Sequence, residues 1–408
     1  MHINFRKDLA MNAPTLSQKT RRYELDWLRV LAILAVFFFH SARFFDPDDW
    51  HVKNPTTYPV LHLPAAVIAS WIMPLIFVIS GASTYYALGK RSGAEFLQDR
   101  SLRLMVPLLV GVFSHAAWQV YLERITHHEF SGSFIAFIPH YFDGFYGFGG
   151  NFAWEGLHLW YLLMLFVFSL VLLPLFLWLR QGSGWRLLDW LGRALSFTGG
   201  VYLLAVPVML LLATLNPNSL FGQRSFANWA IAPYMLIFIN GFLVVSNERL
   251  YDNARRLRWL SLVLSLVATG VMLACYVQYG EPVFGTTLYA GLFAGYALMS
   301  WLWIMMILGF AAQHLRFANP FLAYANEAVL PFYIMHQTVL LTVGYWVIGS
   351  NWQLPDLLTW AIVAFMSLSV CLVLYEFLIR RHNVLRVLFG MKPLARQPSP
   401  QMSEPQPV

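Results

Sequence analysis

Apolar runs of about twenty residues follow one another along most of the chain, and they restrict its fold more than any other feature. The first run, 21–45, reads RRYELDWLRVLAILAVFFFHSARFF and opens with a basic pair. Nine more runs follow, at 64–89, 103–122, 156–179, 198–215, 229–246, 258–278, 286–312, 328–348 and 357–379. A helix of about 20 apolar residues crosses a bilayer, because each residue adds roughly 1.5 Å. We therefore predict an all-α fold, a polytopic integral membrane helical bundle of about ten transmembrane helices.

The composition is typical of a membrane protein. Of 408 residues, 58% are hydrophobic and 12% are charged, and the mean hydropathy is +0.57. Soluble domains carry about 25% charged residues. The two cysteines, Cys275 and Cys371, lie inside apolar runs, so we expect neither a disulfide framework nor a metal site. Membrane topology accounts for the basic pI of about 9.4, so the expected partner is a lipid bilayer and no nucleic acid.

The distribution of Lys and Arg predicts the topology. An even number of spans places both termini on one side of the membrane. With the termini inside, the outer segments hold only four of the 27 basic residues: Arg43, Lys53, Arg124 and Arg224. Cytoplasmic segments carry the excess of Lys and Arg. We therefore predict cytoplasmic termini in a multi-pass protein of the bacterial inner membrane.

Two polar tails and one long outer connection complete the predicted domain organisation. Residues 1–20 lack the apolar core of a signal peptide, so we expect a cytoplasmic tail before the membrane domain, 21–390. Residues 391–408 are rich in Pro and Gln, which predicts a disordered cytoplasmic tail. The outer connection 123–155 is rich in aromatic residues, Gly and His. Such a loop suits a sugar-like or amphipathic acceptor, and it equally suits a loop resting in the membrane interface.

The first run carries three ionisable residues among its apolar ones: Asp26, Arg29 and His40. Arg29 and His40 are eleven positions apart. At about 100° per residue they return to nearly the same helix face, roughly 16 Å apart along the axis. Charges inside a membrane are costly, so we expect chemistry at this stripe. The structural alternatives are that Arg29 reaches the headgroups, that Asp26 is only its ion-pair partner, and that His40 hydrogen-bonds a neighbouring helix.

Two further stretches combine polar and apolar residues in a suggestive order. The segment 74–81, PLIFVISG, places proline, serine and glycine in mid-membrane, which predicts a close helix contact. Arg100 and Arg103 are three apart, share a helical face and can bind a phosphate through bidentate bonds. Ordinary positive-inside arginines look the same. Three more histidines lie in or beside apolar runs, and for each one singly a bond to a backbone carbonyl is the favoured interpretation: His115, His158 and His336.

Together these stretches resemble the acyltransferase-3 family of ten-span membrane acyltransferases. The resemblance rests on the Arg29-(ten residues)-His40 spacing, PLIFVISG, and RSLRLMVP at 100–107. Four stretches resemble its glucan biosynthesis protein C branch of glucan succinyltransferases: HLWYLLML at 158–165, FYIMHQTVL at 332–340, LYEFLIRRHNVLRVLFGMKPL at 374–394 and Trp50-His51-Val52. The similarity covers residues 22 to about 394.

The resemblance implies an activity and assigns residues to it. It implies an O-acyltransferase that moves a succinyl or acetyl group from cytoplasmic acyl-CoA to a hydroxyl of a periplasmic or envelope glycan, without a tightly bound cofactor. It makes His40 the catalytic imidazole, with Arg29, Arg100 and Arg103 binding acyl-CoA. Supporting roles fall to Asp26, His158 and His336.

The chemistry and the rival classes stay open at this stage. His40 can act as a general base toward the acceptor hydroxyl, or it can carry the acyl group covalently. A transporter or flippase would instead use Asp26, Arg29 and His40 as an intramembrane relay. A non-catalytic subunit of a polysaccharide export complex would need none of them. The arginine pair favours the enzyme, because it suits a phosphorylated donor.

Overall fold

The computed structural model describes residues 21–219, 230–350 and 352–394, and these residues form helices and no β-strand. In chain order the helices are α1 Tyr23–Ala42, α2 His62–Ala87, α3 Gly93–Thr126, α4 Phe134–Phe137, α5 Trp160–Val171, α6 Leu173–Leu179, α7 Gly182–Ala194, α8 Val206–Thr214, α9 Ile231–Ser246, α10 Glu248–Arg256, α11 Arg258–Tyr279, α12 Thr287–His314, α13 Pro320–Gly349, α14 Asp356–Ile379 and α15 Asn383–Leu388. Short 3₁₀ turns lie at Pro59–Leu61, His140–Phe142, Leu157–Leu159 and Gly200–Ala205. The predicted all-α membrane bundle is confirmed.

Each of the ten predicted runs falls on a helix. Within the described ranges, seven helices are long and apolar enough to cross a membrane. The runs 156–179 and 229–246 fall on helix pairs that bend by 53° and 98°. The run 198–215 falls on the shorter apolar helix Gly200–Thr214. The number of spans and the sides of the termini stay predictions. Residues 1–20, Arg224 and the predicted tail beyond 394 lie outside the described residues.

Local sequence explains where the bent pairs break. Pro174 stands at the second position of α6, where its missing N–H cannot continue the hydrogen bonds of α5. Asn247 ends α9 and caps α10, because its side-chain oxygen accepts a hydrogen bond from the Arg249 N–H at 2.9 Å. Ser92 and Glu95 form a capping box at the start of α3.

Helices α2 and α9 touch backbone to backbone. A Cβ added at Gly81 would lie 2.0 Å from the Phe238 carbonyl oxygen, and one at Gly241 would lie 2.2 Å from the Val78 carbonyl oxygen. Only glycine permits this approach from both sides. The close helix contact predicted from PLIFVISG is present, and it fixes the stretch 74–81 in the core.

The bundle has a buried centre and a lipid-facing rim. In α13, 72% of the most apolar window is buried, whereas in α11 the share is 11%. Helix α1 packs against both α2 and α13. The helices that carry Arg29, His40 and His336 are therefore central, and α11 presents its apolar side chains outward, as a lipid-contacting helix does.

Candidate active site

A basic cavity of about 570 Å³ opens between α1, α2, α3, α5 and α13. Its charged lining consists of Arg29, Lys90, Arg91, Arg100, Arg103, Arg386 and Lys392 against Asp99 and Glu327. We call the end of the bundle marked by Lys90, Arg100 and Lys392 the basic end. The excess of cations predicts a polyanionic ligand.

The structure brings the three predicted donor-binding arginines to this one cavity. Arg29 donates hydrogen bonds to Asp26 at 3.1 Å, Asn326 at 2.9 Å and Ser83 at 2.9 Å. Asp26 is thus its ion-pair partner, as one of the sequence alternatives held. Arg29 still lines the cavity, and its guanidinium is held in one position by three helices.

Arg100 and Arg103 are less engaged than Arg29. Arg100 donates to the Thr84 hydroxyl at 3.4 Å, and its guanidinium lies 5.2 Å from the Phe96 ring centre. Arg103 donates through Nε to the Gly390 carbonyl at 3.2 Å. Within residues 21–219, 230–350 and 352–394, neither has a carboxylate partner. Both therefore keep donors for a phosphate.

Beyond the cavity, three imidazoles converge. Along α13, Asn326, Leu330 and Tyr333 line the cavity at helical spacing, and His336 follows one turn later. His40 continues the stripe of α1, and His158 lies just before α5. The ring centres of His40 and His336 are 5.3 Å apart, and those of His336 and His158 are 5.2 Å apart. We call these three residues the imidazole cluster.

Two nitrogens of the cluster have no partner. His336 Nδ1 donates to the Tyr333 carbonyl at 2.6 Å, so in the neutral ring Nε2 carries the lone pair. His336 Nε2 and His40 Nδ1 are both buried and bond nothing in the described part of the chain. Buried polar atoms are normally satisfied. Facing rings with such atoms mark a place for a polar ligand atom.

His158, by contrast, is fully bonded. Its Nε2 donates to the Ile334 carbonyl at 3.0 Å, and its Nδ1 lies 3.3 Å from Gln119 Nε2. Gln337 donates to the Gln119 side-chain oxygen at 3.1 Å. The carbonyl-bonded interpretation therefore holds for His158. Sequence analysis missed Gln119 and Gln337, although an amide inside an apolar run was the signal for both.

A layer of two tyrosines separates the cavity from the imidazole cluster. Tyr161 and Tyr333 both line the cavity, and their ring centres are 5.9 Å apart. The Tyr161 hydroxyl lies 2.5 Å from Ser80 Oγ, and the Tyr333 hydroxyl donates to the His158 carbonyl. Any group passing from the cavity to His40 must cross this layer.

The opposite end is closed by the first and second outer connections. Trp50 packs 5.9 Å from His40, ring centre to ring centre. His51 bonds Glu123, which also accepts from the Tyr146 hydroxyl at 2.9 Å. The connection 123–155 thus packs on the chain that covers His40.

One carboxylate of this connection is unusual. Glu155 is buried, and burial raises its pKa to about 7. Its Oε2 has no hydrogen-bond partner in the described ranges. Near neutral pH this side chain is therefore partly protonated.

The remaining predicted site features differ in their surroundings. His115 lies 2.8 Å from Ser114 Oγ and packs against Phe389. Arg43 pairs with Asp46 and Asp48, so its charge is already balanced. Among the described residues, no three His, Cys, Asp or Glu side chains are placed to hold a metal ion.

A family model described as an acyltransferase domain, acyltransferase-3, matches residues 22–376. The chain belongs to the acyltransferase-3 family. This confirms the predicted family and makes the protein a membrane acyltransferase, so the transporter and subunit alternatives are set aside. The family's span includes the lining arginines of α1 and α3 and the whole imidazole cluster.

The chain is also similar to curated proteins named glucans biosynthesis protein C. It is 21% identical to that of Escherichia coli O139:H28 over 391 residues, which cover 92% of this chain and 96% of that protein. The protein of Escherichia coli K12 is equally similar, at 21% over 391 residues. That of Salmonella paratyphi B is 25% identical over 163 residues, 40% of each chain. No solved structure matches the chain with statistical significance.

Proposed function

We propose that this acyltransferase moves a succinyl or acetyl group from cytoplasmic acyl-CoA to a hydroxyl of a periplasmic or envelope glycan. One observation carries the proposal: the basic cavity and the imidazole cluster are consecutive sections of the same helical stripes of α1 and α13. A phosphorylated donor and a base are thereby aligned across one bundle. The glycan acceptor is suggested by the name of the similar proteins.

The positive-inside rule supports a cytoplasmic position for the basic end, in the bacterial inner membrane. Acyl-CoA is made in the cytoplasm and carries several phosphates. Arg100 and Arg103 suit those phosphates, since both keep free donors. Arg29 lies further in and is held by Asp26, which suits a fixed charge along the path of the donor arm. Because CoA binds as a substrate, no tightly bound cofactor is needed.

The transfer itself falls to His40. In the general-base route, His40 removes the proton of the acceptor hydroxyl, whose oxygen attacks the thioester carbonyl. The C–O bond forms, the C–S bond breaks, and the proton passes to the leaving thiolate. In the covalent route His40 first takes the acyl group and then passes it to the acceptor. His336 supports either route, because its Nε2 accepts a hydrogen bond beside His40.

The acceptor would enter from the opposite end, past Trp50. Aromatic rings beside polar groups suit the apolar faces and hydroxyls of a sugar. Arg43 is a poor guide for a succinyl carboxylate, since Asp46 and Asp48 already neutralise it. The choice between succinyl and acetyl therefore needs direct measurement of the product.

The test is acyl transfer by purified, monodisperse protein, with radiolabelled acyl-CoA and periplasmic glucan as substrates. General-base catalysis is worth roughly 10²- to 10⁴-fold. We expect His40→Ala and His40→Gln to lose about that much activity while the protein still folds. His115→Gln is the matched control and should stay near the wild-type rate. If His40→Gln keeps more than about a tenth of that rate, the loss is too small for a general base and the proposal fails.

A further inference from the structure

The mouth of the basic cavity is built partly by chain beyond the last long helix. Gly390, Met391 and Lys392, which we call the C-terminal strap, line the cavity. Arg386 anchors the strap: it is 6% exposed and donates to the Lys392 carbonyl at 2.7 Å and to Glu327 at 3.0 Å. A buried arginine bound on two sides holds the strap to α13.

The strap also contacts the arginine pair. Arg103 Nε donates to the Gly390 carbonyl at 3.2 Å. Gly390 has a φ of +71°, and an added Cβ would lie 2.6 Å from the Arg103 carbonyl oxygen. Glycine is required there on both counts. The strap backbone therefore orients one of the two arginines.

The cations of the cavity divide into paired and unpaired ones. Arg29 pairs with Asp26, Arg91 with Asp99, and Arg386 with Glu327. Four cations have no carboxylate partner in the described part of the chain: Lys90, Arg100, Arg103 and Lys392. Lys90 follows α2 and Lys392 lies on the strap, and both are exposed at the rim. The unpaired charge is thus placed in two groups, one arginine pair and one lysine pair.

We propose that Lys90 and Lys392 form a second phosphate subsite, separate from Arg100 and Arg103, so that the donor is a free nucleotide thioester with phosphates at two places. This rests on the proposed function. An acyl group on a carrier protein offers a single phosphodiester, and the carrier would have to sit where the strap covers the mouth. A coenzyme with a diphosphate and a separate 3′-phosphate matches both groups of cations.

The test compares CoA with 3′-dephospho-CoA by calorimetry on the purified full chain in nanodiscs. We expect wild-type protein to bind CoA about tenfold more tightly than dephospho-CoA, a difference worth about 1.4 kcal/mol. In the double variant Lys90→Gln, Lys392→Gln, CoA should fall to the dephospho-CoA affinity, and dephospho-CoA binding should not change. Replacing Arg100 and Arg103 with Gln should weaken both ligands together.

Arg381→Gln is the matched control, because Arg381 is an exposed cation close to the strap that pairs with Glu376 at 3.8 Å. It should leave both affinities unchanged. Equal losses for both ligands in the lysine variant, or no loss for either, would overturn the second subsite while CoA binding and the proposed function stand. If wild-type protein binds no CoA, or binds an acyl carrier protein more tightly, the donor assignment itself fails.

Discussion

The two buried histidines beside His40 present opposite hydrogen-bonding states. His158 uses both ring nitrogens for protein contacts, whereas His336 uses one and leaves Nε2 free next to His40. An imidazole with a fixed tautomer and a free lone pair is prepared for a ligand, and a fully bonded one holds helices together. Their sequence contexts do not distinguish these states.

These states predict different effects of substitution. His336→Ala should lower kcat by about 10²-fold, the lower range of acid–base contributions, with little effect on the apparent KM for the donor. His158→Ala should instead lower the melting temperature, because it leaves the Gln119 amide and the Ile334 carbonyl without a partner. Steady-state kinetics and thermal unfolding of the same purified variants check both. An active but unstable His336→Ala would exchange the two roles.

At the scale of elements, the sequence was most informative where one segment decides the outcome. The ten apolar runs predicted the helices, and the Arg29-to-His40 spacing predicted one shared stripe. Periodicity shows which residues share a face of one helix and gives no information on which faces meet. The joining of Arg29 with Arg100, and of His40 with His336, therefore needed the tertiary structure. Met391 also packs at the cavity, although its surroundings are Pro- and Gln-rich.

The contact between α2 and α9 gives a prediction for elements. Gly81→Ala places a Cβ against the Phe238 backbone, which cannot rotate away as a side chain can. Overpacking of this kind costs about 1–3 kcal/mol, so we expect a clear drop in melting temperature. Gly270→Ala is the control, since nothing lies within 4 Å of its added Cβ on the peripheral helix α11. Equal melting temperatures for the two variants would contradict the backbone contact.

At the scale of the whole molecule, acyl transfer across a bilayer requires two separate entrances to one reaction centre. The basic cavity supplies one entrance, and the Trp50 side supplies the other. The tyrosine layer between the cavity and His40 keeps them apart. This arrangement has a direction only if the basic end faces the cytoplasm, and that orientation follows from the basic residues alone.

Topology reporters test this orientation. A reporter fused after Arg396 should report a cytoplasmic position, because it continues from the strap at the basic end. A reporter inserted near Gly132, in the connection 123–155, should report a periplasmic one, because few basic residues lie on that side. Fusions of alkaline phosphatase and green fluorescent protein at both places give opposite signals for the two compartments. If both positions report the same side, Gly93–Thr126 does not cross the membrane as an odd-numbered span. The donor and acceptor entrances would then have to be reassigned.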